Sequence, residues 1–361
     1  MSGLCEECKV PKVFTGEHLW LDNGDIVQKR DQRHRLVFIE SENLDPLFQG
    51  MEQTIGMPIQ NIVINCVRRT LLTYMSLFIS DEVREKVHNK EVSLKAMDDG
   101  FRDLARPMGS GRYEFVDMRF EGDKDDYFAV SITEPYSLPM CVAGHAAAIE
   151  AILGYDHGVT YSEAAPGVYN VTAFPFSHPK EFKGRLDMPY YEHVRGAIEL
   201  ERCATCGGPK ALAGYRWYLD RGIIMNISNG RRMALMSPSE MDPVFTELEA
   251  ELGDTIPRVV VEAQRRFTKT GFYSLFEVKD ENDFRVELAV RGLGNLKEIN
   301  VRRKMGVHMI VENAALPLML VGMMQGVYES AFDVESHVEW EVSAEGDLSV
   351  EITPRTVMVN A

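Results

Sequence analysis

The stretch CEECKVPKVFTGEHLWLDNG, beginning at Cys5, is answered by CATCGGPKALAGYRWYLDRG, beginning at Cys203. An internal repeat constrains a fold more than any single motif, because both copies must be able to build the same unit. Pro11-Lys12 matches Pro209-Lys210, Gly16 matches Gly214, Leu21-Asp22 matches Leu219-Asp220 and Gly24 matches Gly222. With one residue deleted, the correspondence runs on: HRLVFIESENLDPLF from His34 lies over RRMALMSPSEMDPVF from Arg231, and Arg68-Arg69 over Arg265-Arg266. Ser76-Leu77-Phe78 is answered by Ser274-Leu275-Phe276, the run from Glu134 to Pro139 by the run from Glu312 to Pro317, and Gly144 by Gly322. The copies close on GVYNVTAFP and GDLSVEITP. This predicts a tandem duplication, with a first unit over 1–180, a linker over 181–197 and a shorter second unit over 198–361.

The local signals can be read once and applied twice. Each CxxC pair precedes a strand-like segment that turns at Asp22-Asn23-Gly24 or Asp220-Arg221-Gly222, which predicts a β-hairpin. An acidic residue before proline, at Asp45-Pro46 and Asp242-Pro243, marks a helix start. Apolar residues at helical spacing follow, then two strands, an apolar helix from Leu138 or Leu316, and a final strand pair. Each unit therefore reads as α+β, with helices packed on a twisted antiparallel sheet, the two units related by a pseudo-two-fold axis.

From Gly111 to Pro175 the order is a glycine-led strand, a second strand, Leu-Pro, a small-residue helix over Gly144 and a closing hairpin. This resembles the 4-vinyl-reductase-like domain, a small-molecule-binding module, and Gly294 to Pro354 resembles a second, more diverged one. The resemblance implies a small hydrophobic or aromatic ligand and a role as sensor or carrier. Many members hold zinc through cysteines in the closing hairpin. Here that hairpin, TYSEAAPGVYNVTAFP, contains no cysteine, so the metal question moves to the CxxC pairs.

Four of the six cysteines lie in those pairs, Cys5 and Cys8, Cys203 and Cys206. A tetrahedral zinc or iron site needs four thiolates, and one CxxC turn supplies two. Neither pair has a third local ligand, and no histidine follows either pair as covalent heme attachment would require. Packing about a two-fold axis would bring both knuckles into one four-cysteine site, structural rather than catalytic because no open position remains. A dithiol redox pair, separate metal sites, two-cysteine sites shared across a homodimer and mere vestiges stay open as alternatives.

Positions where the copies differ point to where their roles diverged. Cys141 and His145 stand four residues apart on one helix face, where the second copy has Met319 and Met323. They form either a ligand or catalytic pocket with Glu134 and Arg69, or a satisfied core pair. Glu134 and Glu312 could instead cap the next helix, and only one arginine of each Arg-Arg pair can face inward, towards a pocket or an inter-unit salt bridge. Met319 and Met323 suit an adaptable apolar cavity.

A net charge of −16 at pH 7 disfavours nucleic acid and anionic membrane surfaces as partners. No signal peptide or run of about 18 apolar residues is found, which places the chain in the cytoplasm. Two functions are expected from these features. One is a zinc-stapled binding protein for a small hydrophobic or aromatic molecule, with a protein partner or homodimer. The other is an enzyme acting on an aromatic, tetrapyrrole or acyl compound through Cys141 and His145.

Overall fold

A computed structural model describes residues 3–179, 190–273, 279–302 and 305–355. It is an α+β structure built from three antiparallel sheets. After the first knuckle comes a short helix α1 (Lys12–Glu17), then strands β1 (His18–Trp20), β2 (Ile26–Gln28) and β3 (Arg35–Glu40). Helices α2 (Leu44–Ile55), α3 (Gln60–Ser76), α4 (Asp81–His88) and α5 (Leu94–Ala105) follow. Ser80 and Ser93 each accept a backbone N–H of the turn they start and so open α4 and α5 as separate helices.

Strands β4 (Arg112–Arg119) and β5 (Tyr127–Thr133), helix α6 (Leu138–Leu153), and strands β6 (His157–Ala165) and β7 (Val168–Pro175) complete the first half. The second half has β8 (Tyr215–Tyr218), β9 (Ile223–Asn226), β10 (Arg232–Met236), α7 (Asp242–Leu252), α8 (Ile256–Phe267) and α9 (Glu281–Val290). It ends on β11 (Asn295–Arg302), β12 (Gly306–Glu312), α10 (Pro317–Phe332), β13 (Ser336–Val342) and β14 (Leu348–Pro354). The Ser274-Leu275-Phe276 match lies outside the described residues.

Each half forms a four-stranded sheet of the same order, β4-β5-β7-β6 and β11-β12-β14-β13. Apolar helices α6 and α10 cover these sheets, and almost every α6 side chain is buried. The third sheet is shared. Its order is β1-β2-β3-β10-β9-β8, and its centre is the antiparallel pair β3 and β10. There Phe38 faces Leu235, Val37 faces Met236 and Ile39 faces Ala234. In the sequence correspondence Leu235 matches Phe38, Ala234 matches Val37 and Met236 matches Ile39, so this register is symmetric about the Phe38 and Leu235 pair.

The hairpins cross over. Trp20 Nε1 donates to Val290 O at 2.9 Å and Arg35 reaches Gly292 O and Asn313 O, all in the second half. Reciprocally, Trp217 Nε1 donates to Pro107 O at 3.1 Å and Arg232 reaches Gly109 O and Glu134 O in the first half. Both hairpin turns need glycine at the crossing. A Cβ on Gly24 would lie 2.4 Å from Gly294 O, and one on Gly222 would lie 2.0 Å from Gly111 O. Helices follow suit, α2 packing on α8 and α7 on α3. The boundary at 181–197 therefore divides the sequence correspondence, while the packing interlaces the halves.

Among the described residues no single helix is long and apolar enough to cross a membrane.

Candidate metal centre

Each knuckle is a tight loop closed by backbone hydrogen bonds. Cys5 N donates to Val10 O at 2.8 Å and Lys9 N to Cys5 O at 3.0 Å, while Cys203 N donates to Gly208 O at 2.8 Å and Gly207 N to Cys203 O at 2.9 Å. Single bridges between Leu4 and Pro11 and between Arg202 and Pro209 close the bases. The residue after the second cysteine must take the left-handed conformation. Gly207 does so at φ +74°, and Lys9 is held there at φ +61°. For a side chain with a Cβ that conformation costs about 1–2 kcal/mol, so Lys9→Gly is expected to raise stability by about 1 kcal/mol. Urea denaturation of the metal-loaded variant checks this, and an unchanged midpoint would show that the knuckle carries no strain.

The crossed hairpins carry the knuckles together. All four Sγ atoms of Cys5, Cys8, Cys203 and Cys206 lie within 4.8 Å of one another. Cys5 Sγ is 3.7 Å from Cys203 Sγ, and Cys8 Sγ is 3.5 Å from Cys206 Sγ. Four sulfurs at about 2.3 Å from a tetrahedral ion stand about 3.8 Å apart, whereas a disulfide requires about 2.05 Å. The cluster can therefore hold a metal ion. Cys5, Cys8 and Cys203 are buried and Cys206 is half-buried.

Backbone N–H groups aim at these sulfurs. Those of Cys8 and Glu7 lower the Cys5 thiol to about 7 against its burial. Burial raises Cys203, opposed by the N–H groups of Cys206 and Thr205, and burial also drives Cys8 up. Further contacts tie the two knuckle segments across the halves beyond the sulfurs. Thr205 Oγ1 donates to Glu7 Oε2 at 2.9 Å, and Arg202 Nη2 donates to Trp20 O at 2.8 Å. Beneath the cluster lies an aromatic core, with Phe14 edge-on to Trp217 at 5.2 Å and Phe38 stacked parallel to Trp217 at 6.5 Å.

The six residues expected to line a ligand pocket do not converge. Cys141 Sγ donates to Ser110 O at 3.4 Å, and burial pushes its thiol up to about 11, which keeps it protonated at neutral pH. His145 Nε2 bonds Phe128 O at 3.1 Å, and burial lowers its pKa. Both are core side chains satisfied by nearby carbonyls. Glu134 neither caps α6 nor enters a pocket. It takes φ +52° and pairs with Arg221 Nε at 3.1 Å, across the hairpin crossing. The amino terminus of α6 is served by Asp45 instead, whose Oδ2 accepts Leu138 N–H at 3.1 Å. Glu312 pairs with Lys297 at 3.0 Å.

Of the arginine pairs, Arg68 and Arg265 turn inward. Arg69 is half-buried and reaches back along its own helix to Asn65 O. Arg68 pairs with Glu150, and Arg265 with Glu329, each within one half rather than between halves. These glutamates also receive the backbone N–H of His157 and of Ser336, where β6 and β13 begin. Sequence reasoning missed both glutamates. Each is the thirteenth residue of its helix, but the sequence register that pairs Gly144 with Gly322 sets Glu150 over Tyr328, so only the structure brings the two glutamates into correspondence.

Met319 and Met323 line an inner cavity of about 30 Å³ with Leu320, Leu316, Asn43 and Arg291. A wider cleft of about 160 Å³ lies between Asp242 and Phe245 of α7 and Leu316, Pro317 and Leu318 at the start of α10.

The fold and site define an α+β chain that can carry a metal ion on four cysteines drawn from both of its halves. No family model matches the chain, and no curated protein sequence matches it. Similar solved structures include a mutant H-NOX from T. tengcongensis, 15% identical over 34% of this chain and 75% of that one, TM-score 0.25. A Cs H-NOX mutant is 13% identical over 35% and 77%, and a structure probing heme distortion in the H-NOX family is 16% identical over 39% and 80%, both at TM-score 0.25. At that TM-score the likeness carries no argument about fold or chemistry.

Proposed function

We propose that this chain is a zinc-stapled binding protein for a small hydrophobic or aromatic molecule, built from two repeats about an approximate two-fold axis. The observation that carries the reading is the four-sulfur cluster assembled from Cys5, Cys8, Cys203 and Cys206. All four donors are thiolates-in-waiting, which favours zinc among redox-silent ions and leaves no place on it for substrate. The staple sits where the hairpins cross, so its work is to hold each hairpin on the opposite half. The symmetric β3–β10 register and the matched sheet orders support the repeat.

The cleft beside Phe245, Leu316 and Leu318, with the methionine-lined cavity behind Leu316, is the region suited to an apolar molecule. The buried, protonated state of Cys141 weighs towards binding and against nucleophilic work by that thiol. Native mass spectrometry with metal analysis tests both parts. One zinc per chain and a copurified apolar compound are expected. Metal retained after replacement of both Cys5 and Cys8 would defeat the shared site.

A further inference from the structure

The two halves build one cross-half contact with different residues. Asn43 and Glu240 end matching short helical turns after β3 and β10, at Ser41–Asn43 and Pro238–Glu240, and both are buried. Glu240 is satisfied from the first half: Tyr136 Oη donates to its Oε2 at 3.3 Å, while Ser237 N donates to its Oε1 at 2.9 Å. Tyr136 stands two residues beyond Glu134, which takes φ +52° and has Arg232 on its carbonyl. Asn313 repeats both features, at φ +52° with Arg35 on its carbonyl. Two residues beyond Asn313 comes Ala315, buried and without a hydroxyl.

Asn43 therefore lacks the donor that its counterpart has. Gln264, where the first half has Val67, replaces only part of it. Gln264 Nε2 donates to Thr268 Oγ1 at 3.2 Å, which turns its Oε1 to accept Asn43 Nδ2 at 2.9 Å. Among the described residues nothing donates to Asn43 Oδ1, although Asn43 is only 4% exposed. Buried acceptors in native cores nearly always have a donor. Asn43 and Gln264 line the inner cavity of about 30 Å³ together with Leu316, Met319, Leu320 and Met323. Glu40 lines it too, but its Oε2 already accepts Arg291 and Tyr273 Oη. A water-sized group needs roughly 10–15 Å³, so the cavity has room for about two such groups beside one open acceptor.

We propose that this cavity seats the hydroxyl end of the bound molecule, its O–H donated to Asn43 Oδ1 and its chain running past Leu316 into the wider cleft. The ligand class is then a small apolar alcohol. Its hydroxyl does for Asn43 what Tyr136 does for Glu240, and the methionines accept the adjoining carbon. This rests on the reading that the chain binds a small apolar molecule, and it specifies the polar group that molecule carries.

Methyl NMR on the full, metal-loaded chain tests this with two isomers, n-butanol, which donates a hydrogen bond, and diethyl ether, which only accepts one. Both are titrated against the Met319 and Met323 methyl signals. The alcohol is expected to bind about tenfold more tightly, since a site that hydrogen-bonds a hydroxyl rejects an analogue that leaves its buried group unpaired. Asn43→Leu should remove that preference. In the wild type the Asn43 side-chain amide signals should shift with the alcohol and not with the ether, a readout that needs no variant. Equal binding of the isomers would overturn the hydroxyl seat and leave the binding reading intact. A preference that survives Asn43→Leu would overturn the role of Asn43. So would binding of neither isomer with a water cross-peak at the Asn43 amide, which would make the cavity a water site only; a copurified apolar compound would still uphold the binding reading.

Discussion

Cys8→Ser and Cys206→Ser are expected to behave alike, each losing the metal ion and lowering the thermal midpoint by about 10 °C or more. Mass action sets the scale: an ion present at a thousand times its dissociation constant stabilises the folded state by about 4 kcal/mol, and structural zinc sites reach far higher affinities. Equality is the diagnostic feature, because residues 198 apart in sequence would act as one site. A chelator should lower the wild-type midpoint to that of the variants and leave the variants where they are. Scanning calorimetry with metal analysis checks this. Different losses in the two variants would mean that the knuckles bind independently.

Arg68→Met is expected to cost about 3–5 kcal/mol. It leaves the Glu150 carboxylate buried without its partner, at 4% exposure on the arginine side and 5% on the glutamate side. Burial already raises the Glu150 pKa, with Arg68 opposing it, so the lone carboxylate would have to bind a proton to remain inside. The double variant Arg68→Met, Glu150→Met should recover most of the loss, because two apolar side chains of similar volume need no desolvation. Arg265→Met should cost less. Lys269 Nζ remains 2.8 Å from Glu329, and the arginine is 17% exposed. Urea unfolding of the four proteins decides the matter. Equal losses for Arg68→Met and Arg265→Met would contradict the burial argument.

Much of this was legible in the residues because it depends on short-range rules. Period and turn chemistry placed the hairpins at Gly24 and Gly222, and Leu-Pro placed the starts of α6 and α10. The paired CxxC turns pointed to four ligands that the structure does bring within 4.8 Å. At Lys9 the sequence has a side chain where the other knuckle has Gly207, and bonds from Cys5 and Lys9 hold that lysine in the glycine conformation. Side-chain direction was the difficulty. Arg68 and Arg69 are neighbours in sequence, and which one faces α6 depends on the roll of α3 against it.

Local chemistry thus determined that the chain is α+β, which residues can ligate a metal, and where its helices and hairpins begin. Those features arise from contacts a few residues apart, repeated in both copies. Tertiary structure alone decided that each hairpin seats on the opposite half, that Cys141 and His145 are satisfied core side chains, and that Asp45 caps a helix while Asp242 accepts the hydroxyl of Tyr191. These outcomes turn on packing between residues from about 20 to nearly 290 positions apart, such as Asp25 with Asn313. A sequence lists such residues without recording which of them compete for the same place.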